Sequence, residues 1–113
     1  MAAEIERDGL DNEATHALAL HNGRVVATGR FVVQGDTVAR VGRMAVLAPH
    51  RRQGLGSALL EALEVEARRQ GLRAVELHSQ AYVRRFYEER GYRAEGLPFN
   101  EAGIEHVTMV KRL

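Results

Sequence analysis

Between Arg24 and Val33 the apolar positions fall on every second residue: Val25, Ala27, Phe31 and Val33, with Gly29 in phase. That period of two predicts a strand. Ala14–Leu20 predicts another, and His21-Asn22-Gly23 between them holds Asn-Gly, the pair that most favours a tight hairpin. Gln34-Gly35-Asp36 reads as a second turn and Thr37–Leu47 as a third strand, which makes an antiparallel meander. The third strand has a fault of phase. Val38, Val41 and Met44 are three apart, where a regular strand would turn them to alternate faces. One extra residue near Gly42-Arg43 would form a β-bulge and restore the phase. Alternatively, the strand is apolar on both faces and buried between helices.

The period then changes. Leu55, Leu59 and Leu63 recur every fourth residue, with Ala58, Leu60 and Ala62 widening the stripe, which predicts a helix over 55–70. Glu61, Glu64, Arg68 and Arg69 fall on its outer face, and Gly71 stands where a C-terminal cap belongs. Ala74–His78 predicts a short strand, and strand–helix–strand in this order suggests a parallel crossover. Tyr82–Arg90 predicts a second helix, closed by Gly91. Tyr92–Leu97 and His106–Leu113 complete the sheet, connected through Pro98 to Gly103. The expected class is α/β (α+β), a mixed antiparallel and parallel sheet flanked by helices.

Composition narrows the function. The chain has 113 residues, 45% apolar and 27% charged, ordinary values for one globular domain. No apolar run approaches the roughly 20 residues of a membrane-spanning helix, so no membrane partner is expected. There is no cysteine, which excludes disulfides, thiolate metal sites and cysteine nucleophiles; no metal is expected. Residues 1–13, acidic at Glu4, Glu6, Asp8, Asp11 and Glu13, read as an irregular polar lead-in to a domain over 14–113. They lack the regions of a signal peptide, so the expected compartment is the cytoplasm. A nucleic-acid binder would use Arg51, Arg52, Arg68, Arg69, Arg84 and Arg85. These arginines alternate with Glu61, Glu64, Glu66, Glu88 and Glu89, and the net charge is only +1, so no nucleic-acid partner is expected.

The candidate chemistry lies ahead of the first helix, in Pro49-His50-Arg51-Arg52-Gln53-Gly54-Leu55-Gly56-Ser57. A helix N-terminus presents up to four unpartnered N–H groups and the positive end of the macrodipole, which suits a phosphate or pyrophosphate. Gly54 and Gly56 leave the backbone open to an anion, Arg51 and Arg52 add charge, and Ser57 offers a hydroxyl. Alone, such a loop is more often only a turn with a solvated basic face. Neither G-x-x-x-x-G-K-[ST] nor G-x-G-x-x-G is present.

The neighbourhood adds to it. Arg51 to Ala58 resembles the R/Q-x-x-G-x-G/A signature of the GNAT family of N-acetyltransferases. Met44-Ala45-Val46-Leu47-Ala48-Pro49-His50 is similar to that family's approach from its fourth strand, and Phe86-Tyr87-Glu88-Glu89-Arg90-Gly91-Tyr92 to its Tyr-x-x-x-Gly-Phe/Tyr element. The three motifs stand in the family's order and spacing, and the resemblance covers residues 14–113. Leu77-His78-Ser79-Gln80-Ala81 and Glu101-Ala102-Gly103-Ile104-Glu105-His106 are similar to the ElaA/YjcF-like branch.

The resemblance implies a GNAT fold and an enzyme that moves an acetyl group from acetyl-CoA to a primary amine by direct transfer. A non-catalytic acyl-CoA-binding module of the same fold is the alternative. Acetyl-CoA would lie where strands four and five splay. Main-chain groups of Met44, Ala45 and Val46 would pair with the pantetheine. Arg51, Arg52, Gln53, Gly54, Leu55, Gly56 and Ser57 would hold the pyrophosphate. Gln80 falls where many members contact CoA, and Tyr87 falls on the general acid that protonates the leaving thiolate. A phenol of pKa about 10 suits that task; on the pattern alone Tyr87 reads first as a core aromatic beside Phe86. His78, Glu101 and His106 are placed at the acceptor site, with no base assigned. In the family a strand and one or two helices precede the meander, and this chain has little room for them. Ala14–Leu20 is therefore expected to be an open sheet edge, with Val25 and Phe31 uncovered, and a second copy of the chain is expected to cover them as a homodimer.

Overall fold

Asn22 and Gly23, both at positive φ (52° and 77°), turn the chain back on itself between the first long strands. The computed structural model describes residues 3–8 and 14–113. The strands are β1 (Ala3–Asp8), β2 (Thr15–His21), β3 (Arg24–Gln34), β4 (Val38–Val46), β5 (Ala74–Gln80), β6 (Arg93–Glu101) and β7 (Ile104–Arg112). They form one sheet in the order β1-β2-β3-β4-β5-β7-β6, antiparallel except for the parallel pair β4–β5. Helix α1 (Leu55–Arg69) makes the crossover between β4 and β5, and α2 (Arg84–Glu88) precedes β6.

The leucine stripe of α1 forms the centre of the core. Leu55, Leu59, Leu60 and Leu63 are buried with Phe31, Val75, Leu77 and Met109. Each such side chain withdrawn from water stabilises the fold by about 1.5–3 kcal/mol. Gly71 ends the helix at φ 81°, with its N–H donating to Arg68 and that of Leu72 to Ala67.

The fault of phase in β4 is a bulge. Thr28 faces Ala45 and Arg30 faces Gly42, so one residue of β3 opposes both Arg43 and Met44 of β4, and Arg43 takes φ 53°. Gly29 is the residue opposite, where a Cβ would run into the Met44 sulfur. The parallel pairing of β4 with β5 spans only Val38–Arg40 and Ala74–Glu76. Beyond it the strands open, and that opening positions the site.

Five expectations need correction. Residues 3–8 are not irregular: β1 pairs antiparallel with β2 from Ala3↔His21 to Asp8↔His16, so β2 is not an open edge. Phe31 is 1% exposed, in the core, although Val25 is 46% exposed. Asp11 and Glu13 of the same lead-in lie outside the described residues. The second helix is shorter than Tyr82–Arg90, because Ala81–Val83 winds as a 3-10 turn before Arg84. The connection over Pro98–Gly103 is strand up to Glu101, with the chain reversing at Ala102-Gly103. Finally, Glu64 is buried, not outward: it accepts from Tyr92 Oη at 2.7 Å and from Lys111 Nζ at 3.0 Å.

Candidate functional site

Where β4 and β5 part, a cleft of about 270 Å³ opens, lined by Met44 and the bulge on one side and His78, Ser79 and Gln80 on the other, with Tyr87 and His106 closing it. Leu47 N–H donates to Val26 at 2.9 Å, so Leu47 faces β3. By the alternation of a strand, the main-chain groups of Val46 then point away from β3 and those of Ala45 face it, while Met44 lines the opening. The carbonyl of Val46 accepts from Arg51 Nε at 3.1 Å. A ligand with its own amides could pair here as an added strand would.

The loop delivers an open helix end. Gly54, at φ 77°, is the residue before the first turn of α1, and no side chain caps that turn or sets an acidic charge in it. Leu55 is buried and anchors the turn to the core. A Cβ on Gly54 or Gly56 would meet nothing within 4 Å, so the space in front of these amides is free. Arg51, Arg52 and Gln53 are exposed around it. The arrangement can hold a phosphate-type anion beside the cleft.

Tyr87 faces the cleft from α2. Its ring stands edge-on to Phe86 at 5.0 Å and to Tyr92 at 5.8 Å. Burial raises the pKa of its phenol, and the nearby Arg90 cation opposes that rise. The Tyr92 phenol is pushed up far more, by burial and by its bond to Glu64.

At the outer end of the cleft His78, Glu101 and His106 come together. Glu101 Oε1 is 3.2 Å from His78 Nδ1, and Oε2 is 3.5 Å from His106 Nε2. Phe99 packs between the imidazoles, 4.8 Å from His78 and 5.9 Å from His106. Among the described residues no group of three His, Asp or Glu side chains could hold a metal ion.

The cleft thus brings together Met44, His78, Gln80, Tyr87 and His106, and Glu101 joins them through the histidines. Ala45, Val46 and Arg51 line a second groove with Val25 and Leu47. Ser57 lies in a third, beside Arg90 and Lys111. Two participants escape sequence reasoning. Arg90 donates to Ser57 and to the carbonyl of Phe86 and lies 3.7 Å over the Phe86 ring; the four-residue spacing of Phe86 and Arg90 was the available signal. Arg40 reaches His78 from 38 positions away, and no local pattern announces it.

Comparison with known proteins agrees with this geometry. The family described as "Acetyltransferase (GNAT) domain" matches residues 1–113. YjcF of Bacillus subtilis, named as an N-acetyltransferase, is 34% identical over 110 residues, spanning 96% of this chain and 78% of that protein. The crystal structure of an N-acetyltransferase from Lactobacillus plantarum superposes with a TM-score of 0.83 at 34% identity, over 94% of this chain and 74% of the other. A GNAT acetyltransferase from Elizabethkingia anophelis, with acetyl-CoA bound, shares the fold at a TM-score of 0.81 and 14% identity, over 99% of both chains.

Proposed function

The chain belongs to the GNAT acetyltransferases, and from that premise we propose that it moves the acetyl group of acetyl-CoA to a primary amine by direct transfer. The observation that carries this reading is the cleft at the β4–β5 opening. It offers Met44 from the bulged strand, a phenol from Tyr87 and an imidazole from His106.

The first turn of α1, from Gly54 to Ser57, binds the pyrophosphate through its N–H groups, and Arg51 and Arg52 neutralise it. Met44 and Val46 hold the pantetheine with their main chain, and Gln80 closes on it from β5. This directs the thioester towards Tyr87. The half-buried phenol stays protonated at neutral pH, as a proton donor must. It gives its proton to the departing thiolate, and the Arg90 cation stabilises the phenolate left behind. There is no cysteine thiol to carry an acyl group, and in this reading the amine attacks the thioester itself.

The test has two stages. Calorimetry should show micromolar CoA binding, and thiol release from acetyl-CoA should then depend on added amine. CoA binding without release from a broad amine panel would make the chain a binding module of the same fold.

Two lesser readings go with it. No helix among the described residues is long and apolar enough to cross a membrane, and a cytoplasmic enzyme is our expectation. A homodimer has no open β2 edge to support it and is carried by Val25 and Leu47, 46% and 56% exposed, which both line the second groove. Light scattering showing only a 12.6 kDa species at micromolar concentration would count against it.

A further inference from the structure

The cluster at the outer end of the cleft is a chain of donors and acceptors that ends where Glu101 meets His106. His106 Nδ1 lies 2.8 Å from the carbonyl oxygen of Ile104. A carbonyl only accepts, so Nδ1 carries the proton and the neutral ring presents a lone pair at Nε2. His78 is fixed in a similar way. Arg40 Nη2 sits 3.2 and 3.3 Å from its two ring nitrogens, and Nδ1 also faces Glu101 Oε1. Arginine only donates, so Nε2 accepts from Arg40 and Nδ1–H donates to Glu101. That holds one carboxylate oxygen and leaves Oε2 aimed at His106 Nε2, 3.5 Å away. Two acceptors face each other across this gap, one of them anionic. Such a pair calls for a positively charged donor with at least two hydrogens.

We propose that the gap between Glu101 Oε2 and His106 Nε2 seats the ammonium of the acceptor, and that His106 takes its proton. The inference rests on the reading of the cleft as the transfer site. One ammonium nitrogen can reach both atoms at about 2.8–3.0 Å. His106, 8% exposed, also lines the cleft with Tyr87, so the nitrogen freed there faces the thioester. Phe99 offers an apolar wall for the carbon next to it.

The atoms balance. One N–H bond of the ammonium breaks and its proton moves to His106 Nε2, forming an imidazolium paired with Glu101. The nitrogen lone pair forms the C–N bond, and the C–S bond breaks. The thiolate takes the Tyr87 proton, a second amine proton is released, and one proton is lost to solvent for each amide made. The acceptor is therefore an amine that binds as an ammonium with at least two N–H bonds, as the primary amine of the proposed reaction does. Alcohols and thiols lack the charge that Glu101 selects. His78 and Arg40 are positioning residues, since they act through Glu101.

The test has three arms on the full chain. In steady-state kinetics, Glu101→Gln should raise KM for a cationic amine at least tenfold with KM for acetyl-CoA unchanged. His106→Gln should lower kcat by about 10²-fold or more. Both variants within threefold of the parent would overturn the proposal. The second arm needs no turnover. With CoA bound, n-butylammonium should shift the ¹⁵N resonance of His106 Nε2, 1-butanol should not, and Glu101→Gln should abolish the response. No shift in the parent, or an equal shift with butanol, overturns the subsite. The third arm reads tautomers: ¹⁵N spectra should show both His78 and His106 protonated at Nδ1, and a proton at His106 Nε2 in the neutral ring would contradict the assignment. Failure to bind CoA at all sinks the reading of the cleft instead, and calorimetry with CoA separates the two.

Discussion

Arg90 Nε donates to Ser57 Oγ across 2.9 Å, joining the end of α2 to the first turn of α1. The same guanidinium donates from Nη1 to the carbonyl of Phe86 at 2.7 Å and lies over that ring. The sequence places Ser57 among the residues expected to hold the pyrophosphate. Its oxygen accepts from Arg90, and its own hydrogen is left to donate. One cation therefore ties the anion-binding turn to the helix that carries Tyr87.

Arg90→Met should lower kcat by about 10- to 10²-fold, because small misplacements of a reacting group are costly. It should also weaken CoA binding a few-fold through Ser57. Arg90→Lys keeps the charge and loses the planar fork, so it should recover only part of kcat. Full activity in Arg90→Met would remove the link from the mechanism.

Tyr87→Phe should lower kcat by about 10²–10⁴-fold with CoA affinity nearly intact. Because burial raises the phenol above its ordinary 10.0, kcat should show no alkaline loss from this group until above about pH 10. Turnover unchanged in the variant would favour solvent as the proton donor.

Gly56→Glu is the cleanest probe of the loop. The space there is open and the backbone is helical, so the variant should fold, yet it sets a carboxylate in front of the N–H groups. CoA binding should be lost with the melting temperature nearly unchanged. Gly54→Glu should lose both, because Gly54 sits at φ 77°. Parent-like CoA affinity in Gly56→Glu would disprove the loop assignment.

Lys111→Met should destabilise the fold by about 3 kcal/mol, since it leaves the Glu64 carboxylate buried with only the Tyr92 hydroxyl. Urea unfolding measures this, and a loss under about 1 kcal/mol would show that the pair has little value.

Alkaline pH should act on the same cluster. The Tyr92 phenol holds its proton more tightly folded than unfolded, so its contribution to stability is complete below about pH 10 and falls as pH rises beyond it. Denaturation midpoints at pH 8 to 11 should decline more in the parent than in Tyr92→Phe. Parallel declines would place the alkaline loss elsewhere.

Much of this architecture is legible along the chain. The β2–β3 turn, the leucine stripe of α1, the glycine at its end and the loop ahead of it all depend on neighbours within a turn or a hairpin. So do the motifs around Arg51 and Tyr87. The bulge at Arg43 was half legible. The phase fault gave its position, but only the pairing of Thr28 with Ala45 and Arg30 with Gly42 separates it from a strand buried on both faces.

Periodicity alone determined the meander, the crossover helix and the site loop, because side-chain alternation and helix ends follow from local backbone geometry. Tertiary structure alone decided three things. β1 pairs with β2 through main-chain groups, which a polar side-chain pattern does not report. Glu64 matches the outer face of a helix in sequence, yet it is buried because Tyr92 and Lys111, 28 and 47 positions away, arrive to satisfy it. The His78–Glu101–His106 cluster has the same origin. Its members lie on three strands, and only the order β5-β7-β6 sets them side by side, because a carboxylate and two imidazoles acquire their chemistry from distances that no spacing along one chain can encode.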